Sequence, residues 1–366
     1  MDIFLVTHPG LEALLATEAR AKGFNVTETI PGGVTLTGDW PEVWRANLVL
    51  RGATRVLARV TSFRAMHLAQ LDKRARKLPW TDWLSPDHPV RVEATCRKSR
   101  IYHNKAAAQR IERALTEAHG LTLSQDAEIV VKLRIDDDLA TISLDTSGAS
   151  LHKRGLKQAV AKAPMRETLA SLFLAEAGFE GTGPVLDPMC GSGTFLIEAA
   201  EIAAGLAPGR ARKFAFQNLA SFDANAWDEM RSAHNSPTPS GPAHFFGSDR
   251  DQGAIRMSTE NAERAGVAAF TEFACMNASE ITPPDGPPGL VIANPPYGAR
   301  IGNKKPLFAA YASLGTALKE RFAGWRVAIV TSDAGLAKAT GLPLRPPGPF
   351  IDHGGIKIRL HQTDPL

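Results

Sequence analysis

An apolar run ends abruptly in the segment GLVIANPPYGAR, residues 289–300, where Asn294, Pro295, Pro296 and Tyr297 follow one another. Two consecutive prolines lack backbone N–H groups and fix two φ angles, so a strand cannot continue through them. An exocyclic amine on a planar nucleobase fits this turn. The Asn294 side-chain oxygen and the Pro295 carbonyl can each accept one of its N–H groups, and Tyr297 can stack on the ring. A purely structural turn is the competing interpretation.

A glycine-rich turn is the second candidate site, in the segment VLDPMCGSGTF at residues 185–195. Gly191 and Gly193 let the backbone approach a ligand closely, and the helix that follows offers unpaired N–H groups at its start. The spacing departs from the GxGxxG of dinucleotide sites, since Leu196 stands three positions after Gly193. The Asp187 carboxylate would repel a pyrophosphate and suits a cationic amino acid group. These features favour S-adenosylmethionine as the cofactor over a dinucleotide, with a plain tight turn as the alternative.

A further carboxylate, Asp249 in FFGSDRD, follows the next predicted strand. It lies 58 residues after Gly191, whereas the ribose-binding acid of a dinucleotide fold lies about 20 residues after its glycines. An interruption at residues 206–243 accounts for this distance. Its end, SPTPSGPA, is turn-rich, and we predict it to be a mobile loop. Asp249 is therefore the candidate for binding the ribose of the cofactor.

These side chains need a fold that brings strand ends together. From residue 165 onward, short apolar runs alternate with stretches of helical periodicity. The predicted strands are 184–186, 244–247, 272–274, 290–292 and 327–330. Such alternation predicts a doubly wound α/β sheet, in which ligands bind at the carboxyl ends of the strands. The first 150 residues also alternate short strands and helices, which predicts a separate compact α/β part.

The charge of the chain is distributed unevenly. The net charge is only +4, yet residues 51–113 hold 15 Lys/Arg against 5 Asp/Glu. A basic block beside a mildly acidic remainder indicates a polyanion-binding part and a separate catalytic part. Cations neutralise phosphates and an aromatic ring stacks on an unpaired base, so the block predicts RNA binding, with a solvated helix face as the alternative. The candidate RNA-binding residues are Arg97, Lys98, Arg100, Tyr102, Lys105 and Arg110.

Several classes of protein are disfavoured by the sequence. Three cysteines, far apart and without a CxxC pair, argue against a zinc site or a disulfide framework, and we expect no bound metal. No run of about 18 apolar residues predicts a membrane span. The first residues, MDIFLVTHPG, do not have the pattern of a signal peptide. The cytoplasm is the expected location.

Both motifs resemble those of a known family. DPMCGSGTFLIEAA and NPPYGAR are similar to the cofactor-binding and amine-methylating motifs of class I S-adenosylmethionine-dependent methyltransferases. Residues 143–174, SLDTSGASLHKRGLKQAVAKAPMRETLASLFL, resemble the junction between a THUMP domain and its methyltransferase domain. The chain most resembles the THUMP-containing guanine-N2 RNA methyltransferases, which include bacterial 23S rRNA and tRNA enzymes.

The resemblance implies a domain order and a set of site residues. It implies a ferredoxin-like unit at residues 1–52, a THUMP RNA-binding domain at 53–150, a linker at 151–163 and a Rossmann-like methyltransferase domain with a mixed sheet at 164–366. The cofactor residues that it implies are Ala163, Pro164, Met165, Asp187, Met189, Cys190, Gly191, Gly193, Thr194, Asp249, Arg250, Asn277 and Ala278. Asn277 stands where the family usually has an aspartate near the adenine amine, and its oxygen can still accept. Asn294 to Tyr297 match the clamp for the target base.

The sequence leaves the substrate open. Methylation of guanine N2 in 23S rRNA is the favoured function, and tRNA is the alternative RNA. An adenine-N6 DNA methyltransferase retains the same chemistry, although the THUMP-like part argues against it. A non-catalytic RNA-binding assembly factor is the alternative from another class. The target nucleotide and the oligomeric state do not follow from the sequence.

Overall fold

The computed structural model describes residues 1–158, 165–234, 244–297 and 305–366. The chain divides into two compact units. The first unit comprises Met1–Thr7, Ala16–Leu151 and Arg212–Ala233, and the second comprises His8–Leu15, His152–Ala211 and His234–Leu366. Within the described ranges, no helix is long and apolar enough to cross a membrane. The turn-rich segment SPTPSGPA, which was predicted to be a mobile loop, lies outside the described residues.

Strands and helices alternate along most of the chain. The strands are β1 (Asp2–Val6), β2 (Asn25–Ile30), β3 (Gly33–Thr37), β4 (Arg55–Arg64), β5 (Val90–Arg97), β6 (Ile129–Asp136), β7 (Leu139–Asp145), β8 (Val185–Asp187), β9 (Phe245–Asp249), β10 (Thr271–Cys275), β11 (Leu290–Ala293), β12 (Arg326–Thr331), β13 (Ile351–His353) and β14 (Ile356–Gln362). The helices are α1 (Glu12–Ala21), α2 (Trp40–Val49), α3 (Leu68–Ala75), α4 (Asn104–Arg113), α5 (Glu167–Glu176), α6 (Thr194–Ala203), α7 (Ala224–Ala233), α8 (Gln252–Ala265), α9 (Lys305–Arg321) and α10 (Ala334–Ala339). The five strands predicted after residue 165 are all present, as β8 to β12.

The first unit is built on one seven-stranded sheet with the order β2-β3-β1-β4-β7-β6-β5. Strand β1 pairs with both β3 and β4, so residues on either side of position 52 contribute to the same sheet. The hairpin between β6 and β7 turns at Asp137 and Asp138, whose φ angles are 50° and 60°. Aspartate tolerates this left-handed conformation better than most residues, which explains the acidic turn.

The segment Arg212–Ala233 completes the core of the first unit, although the sequence on both sides of it belongs to the second. Phe216 is fully buried, and its ring centroid lies 6.1 Å from that of Trp44 and 5.0 Å from that of Trp227. The Arg212 guanidinium donates hydrogen bonds to the carbonyls of Ser147, Ala149 and Ser150. Aromatic burial and these bonds fix the segment in place.

The second unit is built on a mixed seven-stranded sheet with the order β10-β9-β8-β11-β12-β14-β13. Strands β8 to β12 run parallel, and β14 joins β12 antiparallel. All four residues of β11 are buried, as expected for a strand covered on both faces. The chain order reverses between β8 and β11, which is the switch point where a doubly wound sheet binds its ligand.

Candidate active site

Asp187 ends β8 at this switch point, and its side chain is almost fully buried. The pKa of its carboxyl group is raised to about 8, mainly by burial and in part by the neighbouring Asp249. A hydrogen bond from the Met189 N–H, at 3.0 Å, acts in the opposite sense. A cation beside Asp187 would restore the ionised form, because an opposite charge favours the charged carboxylate. The site therefore fits the cationic amino acid part of S-adenosylmethionine.

The glycine turn after β8 is held by backbone contacts to β9. The Cys190 N–H donates to the Ser248 carbonyl at 2.9 Å, and the Gly191 N–H donates to Asp249 Oδ2 at 3.1 Å. Gly193 has a φ of +80° and immediately precedes α6, so the start of this helix faces the same edge of the sheet. The structure thus brings Gly191 and Asp249 together, as the sequence predicts for two parts of one cofactor site.

Asp249 ends β9 and is itself positioned by two backbone donors. Its Oδ1 accepts from the Asp251 N–H at 3.0 Å, while its Oδ2 accepts from Gly191. Arg250 is exposed, and its carbonyl lies 3.7 Å from the Cys275 sulfur at the end of β10. The half-buried carboxylate is therefore fixed at the rim of the sheet, where a ribose with two hydroxyl donors fits it.

Asn277 and Ala278 follow β10 on the same edge. The Asn277 side-chain amide donates to Glu280 Oε2 at 3.4 Å, and its backbone N–H donates to the same oxygen at 3.3 Å. Because Nδ2 is the donor in this contact, Oδ1 is the atom left to accept from an amine. Ala278 and Tyr297 pack against the same apolar cluster, which includes Val291 and Val327. The positions after β10 and after β11 thus share one wall.

The residues predicted to clamp the base, Asn294 to Tyr297, directly follow β11. Asn294 Oδ1 is buried and has no hydrogen-bond partner among the described residues. Pro295 is buried and Pro296 is exposed. Burial raises the pKa of the half-buried Tyr297 to about 12, so its phenol stays protonated at neutral pH. A buried amide oxygen without a donor is costly, and a ligand N–H would remove that cost.

The segment that precedes α5 carries three of the predicted cofactor residues. Met165 is buried just before the helix begins. Ala163 and Pro164 lie outside the described residues, and their predicted role stays a prediction.

Two residues near the site were missed from the sequence. The Lys157 ammonium donates to Thr194 Oγ1 at 2.7 Å and lies 3.3 Å from the Glu167 carboxylate. The Tyr311 hydroxyl donates to the Pro296 carbonyl at 3.4 Å. Lys157 stands in the junction segment that carries the resemblance. Tyr311 lies only 14 residues after Tyr297, on the next helix. This short separation in sequence is the signal that could have identified it.

The candidate RNA-binding residues lie in the first unit, around the end of β5 and the start of α4. Arg97, Lys98, Arg100, Tyr102 and Lys105 are exposed, and Arg110 is half-buried. The Tyr102 ring is 82% exposed, which leaves it open to stacking. The Arg100 guanidinium lies 3.9 Å from the Asp138 carboxylate, which lowers the net positive charge at this part of the surface. All six residues lie between the last residue of β5 and the second half of α4, and their part in RNA binding stays a prediction.

The fold and the site together define a class. A doubly wound sheet with a glycine turn after β8, an acid at the end of β9 and Asn-Pro-Pro-Tyr after β11 is a class I methyltransferase domain. Family models match the chain as an RlmL ferredoxin-like domain at residues 2–57, a THUMP domain at 65–145 and an RMKL-like methyltransferase domain at 154–343. The chain belongs to this family of THUMP-containing, RMKL-like methyltransferases.

Individual proteins agree with this assignment. A putative RNA methyltransferase of Synechocystis sp. is 31% identical over 98% of this chain and 95% of the relative. The ribosomal RNA large subunit methyltransferase K/L of Syntrophotalea carbinolica is 37% identical over 93% of this chain, which spans only 50% of that relative. A solved structure from Listeria monocytogenes, described as a predicted N6-adenine-specific DNA methylase, is 28% identical, with a TM-score of 0.88 over 100% of this chain and 96% of that chain.

These matches confirm the α/β fold class and the THUMP resemblance. They also confirm the expected class of enzyme, an S-adenosylmethionine-dependent RNA methyltransferase, at the level of the family. S-adenosylmethionine is the cofactor of this fold.

Proposed function

We propose that this protein methylates the exocyclic N2 amine of a guanine, in 23S rRNA rather than tRNA. The buried Asn294 Oδ1, which has no partner among the described residues, carries the proposal. A guanine amine has two N–H donors, and Asn294 Oδ1 and the Pro295 carbonyl are two acceptors in adjacent residues. Tyr297 stands two positions after Pro295 and would stack on the guanine ring. Its half-buried phenol stays protonated.

Positioning explains how these residues would promote the reaction. When bound, S-adenosylmethionine supplies the electrophilic methyl group. Two hydrogen bonds from the amine to Asn294 and Pro295 hold the nitrogen lone pair out of conjugation with the ring. Such alignment lowers the barrier through orientation and electrostatics, without a strong base. Asp187, Asp249 and Asn277 are the proposed contacts to the amino acid, ribose and adenine parts of the cofactor.

The first unit is the proposed RNA-binding part. Its exposed Arg97, Lys98, Arg100 and Lys105 would neutralise phosphates, and Tyr102 would stack on an unpaired base. The name of the K/L relative, a large-subunit ribosomal RNA methyltransferase, supports rRNA over tRNA. We also propose the domain boundaries 1–52, 53–150, 151–163 and 164–366, and a cytoplasmic location.

The base is tested directly with purified protein. Radiolabelled S-adenosylmethionine and hypomethylated total RNA are incubated with the protein, the RNA is digested, and its nucleosides are separated. We expect the label in N2-methylguanosine from the large ribosomal RNA fraction. Label only in the tRNA fraction would replace the rRNA assignment, and no label in N2-methylguanosine would refute the proposed function.

The variant Asn294→Ala tests the residue on which the proposed function rests. We expect a loss of turnover of at least about 100-fold, because one of two acceptors for the reacting amine disappears. Cofactor affinity, measured by calorimetry, should stay within a factor of two of wild type. Asn225→Ala, an exposed asparagine on α7, is the control and should change neither quantity. A loss of cofactor binding in Asn294→Ala would show that the residue acts on the cofactor instead.

Adenine-N6 methylation of DNA is the second candidate. The name of the Listeria structure favours it, and an adenine amine also presents two N–H groups. The same assay with unmethylated DNA decides between them. Label in N6-methyl-2′-deoxyadenosine from DNA, with none in RNA, would establish the second candidate.

A further inference from the structure

A buried hydroxyl lies directly behind the clamp. Tyr311, on α9, has no solvent exposure, and its hydroxyl donates to the Pro296 carbonyl at 3.4 Å. Its ring belongs to the apolar cluster of the second unit with Leu307, Leu314 and Leu318 of the same helix. These neighbours lie at helical spacing on the buried face of α9, so the phenol has a defined position. One wall of the clamp is therefore tied to a rigid helix.

A second hydroxyl, that of Thr331 at the end of β12, acts on the same phenol. Burial raises the pKa of Tyr311, whereas the Thr331 hydroxyl lowers that pKa. Thr331 Oγ1 accepts a hydrogen bond from the Asp333 N–H at 3.2 Å. The Thr331 hydroxyl is thus anchored to the backbone, while the Tyr311 phenol donates to the Pro296 carbonyl.

Helix α9 is fixed in register at the next turn. Gly315 stands four residues after Tyr311, and a Cβ atom there would lie 1.9 Å from the Thr340 carbonyl oxygen. The helix backbone therefore packs directly against the chain that follows α10. Such close packing leaves the Tyr311 hydroxyl little freedom to move relative to β12.

We propose that Tyr311 is a positioning residue for the methylation site. Its hydroxyl holds the peptide that joins Pro296 to Tyr297, and so aims the Pro295 carbonyl and the Tyr297 ring at the base amine. The inference rests on the proposed function, because it assigns a task within the same site. A proline-rich turn with one carbonyl fixed from behind keeps its acceptors aligned, and small misalignments are costly in rate.

The sequence offers a specific probe of this contact. Pro296–Tyr297 is the one Pro–Tyr pair in the chain, since Tyr102 follows Ile101 and Tyr311 follows Ala310. Protein labelled with 13C-carbonyl proline and 15N tyrosine should give a single signal in a carbonyl–amide correlation spectrum. That signal reports the Pro296 carbonyl. In Tyr311→Phe we expect an upfield shift of the carbonyl carbon, because the hydrogen bond is lost.

The same variant is tested for the reaction. We expect Tyr311→Phe to slow single-turnover methyl transfer about threefold to tenfold, the range for one hydrogen bond. Dissociation constants for cofactor and RNA should stay at the wild-type values. Thr331→Val should change the carbonyl shift and the rate in the same direction by smaller amounts, and Thr331→Ser should restore both.

A matched control separates positioning from general loss of stability. Thr363→Val removes a buried hydroxyl that accepts from the Val327 N–H at the opposite end of β12. It should lower stability while leaving the Pro296 signal and the methylation rate unchanged. An unmoved signal in Tyr311→Phe would overturn the inference, as would an unchanged rate or an equal loss of rate in the control.

Failure of the proposed function would look different. If the wild-type protein forms no N2-methylguanosine, the methylation assignment fails. The carbonyl signal is recorded without substrate, so it still decides whether Tyr311 sets the turn.

Discussion

The Asp187 carboxyl group is buried beside a second acid, Asp249, and its pKa of about 8 lies far above the ordinary value near 3.9. Between these two pH values the folded protein holds a proton that the unfolded chain has released. The stability of the cofactor-free protein therefore falls as pH rises through this window. In the proposed cofactor site this cost would be offset, because an opposite charge beside Asp187 favours the ionised carboxylate.

The variant Asp187→Asn should be more stable than wild type and should bind the cofactor more weakly. At pH 8 we expect the free energy of unfolding to increase by about 5 kcal/mol, since each pK unit contributes about 1.4 kcal/mol, and at pH 4 the variant and wild type should nearly coincide. Cofactor affinity should fall at least about tenfold, because the cationic group loses its partner. Urea titrations across the pH range and calorimetry measure both quantities. The exposed Glu272→Gln is the control, and its stability should depend on pH as that of wild type does. If the stability of Asp187→Asn showed this same pH dependence, the raised pKa of Asp187 would be contradicted.

The elements with strong local signals were predictable. Strand β11 is a short apolar run ended by two prolines, and the turn before α6 is marked by its glycines, so both were found from the sequence. Helix α2 was missed although Asp39 caps it and Pro41 stands in its first turn, which is a readable signal. Strand β14 was missed because polar and apolar residues mix along IKIRLHQ, where only part of the strand is buried.

Within the glycine turn, Gly193 should tolerate no side chain. It has a φ of +80°, and a Cβ atom there would lie 3.0 Å from the Ser258 Cβ. Gly205, after the same helix, has a φ of +67° with nothing within 4 Å. We expect Gly205→Ala to cost about 1 kcal/mol from backbone strain alone, and Gly193→Ala about 2–3 kcal/mol with weaker cofactor binding. Urea titrations and calorimetry measure the pair, and equal effects at both positions would refute the crowding argument.

At the scale of the whole molecule, the chain path was not predictable. Residues 206–243 were predicted only to interrupt the alternation of strands and helices, whereas Arg212–Ala233 supplies buried aromatic residues to the first unit. The contacts of Phe216 and Phe222 with Trp44 join residues more than 170 positions apart. No local sequence pattern indicates such a distant partner, because a cluster of aromatic residues has the same pattern whether it packs in the first unit or in the second.

Phe216→Ala tests the contribution of this segment. We expect a loss of about 3–5 kcal/mol in the unfolding of the first unit, as for other fully buried phenylalanines. Cofactor affinity should stay unchanged, since the candidate cofactor residues belong to the second unit. Phe350→Ala, at a side chain that is 57% exposed, is the control and should cost less than about 1 kcal/mol. Chemical denaturation followed by tryptophan fluorescence compares them, and a similar loss in both variants would count against the buried role.

The return of Arg212–Ala233 to the first unit has a genetic consequence. A recombination event that moved residues 1–151 into another gene would leave Trp44 without Phe216, and the carbonyls of Ser147 and Ser150 without Arg212. The first unit therefore cannot be transferred to another gene as one continuous segment of sequence. We expect new RNA specificities to arise by substitutions within it rather than by exchange of the whole unit between enzymes.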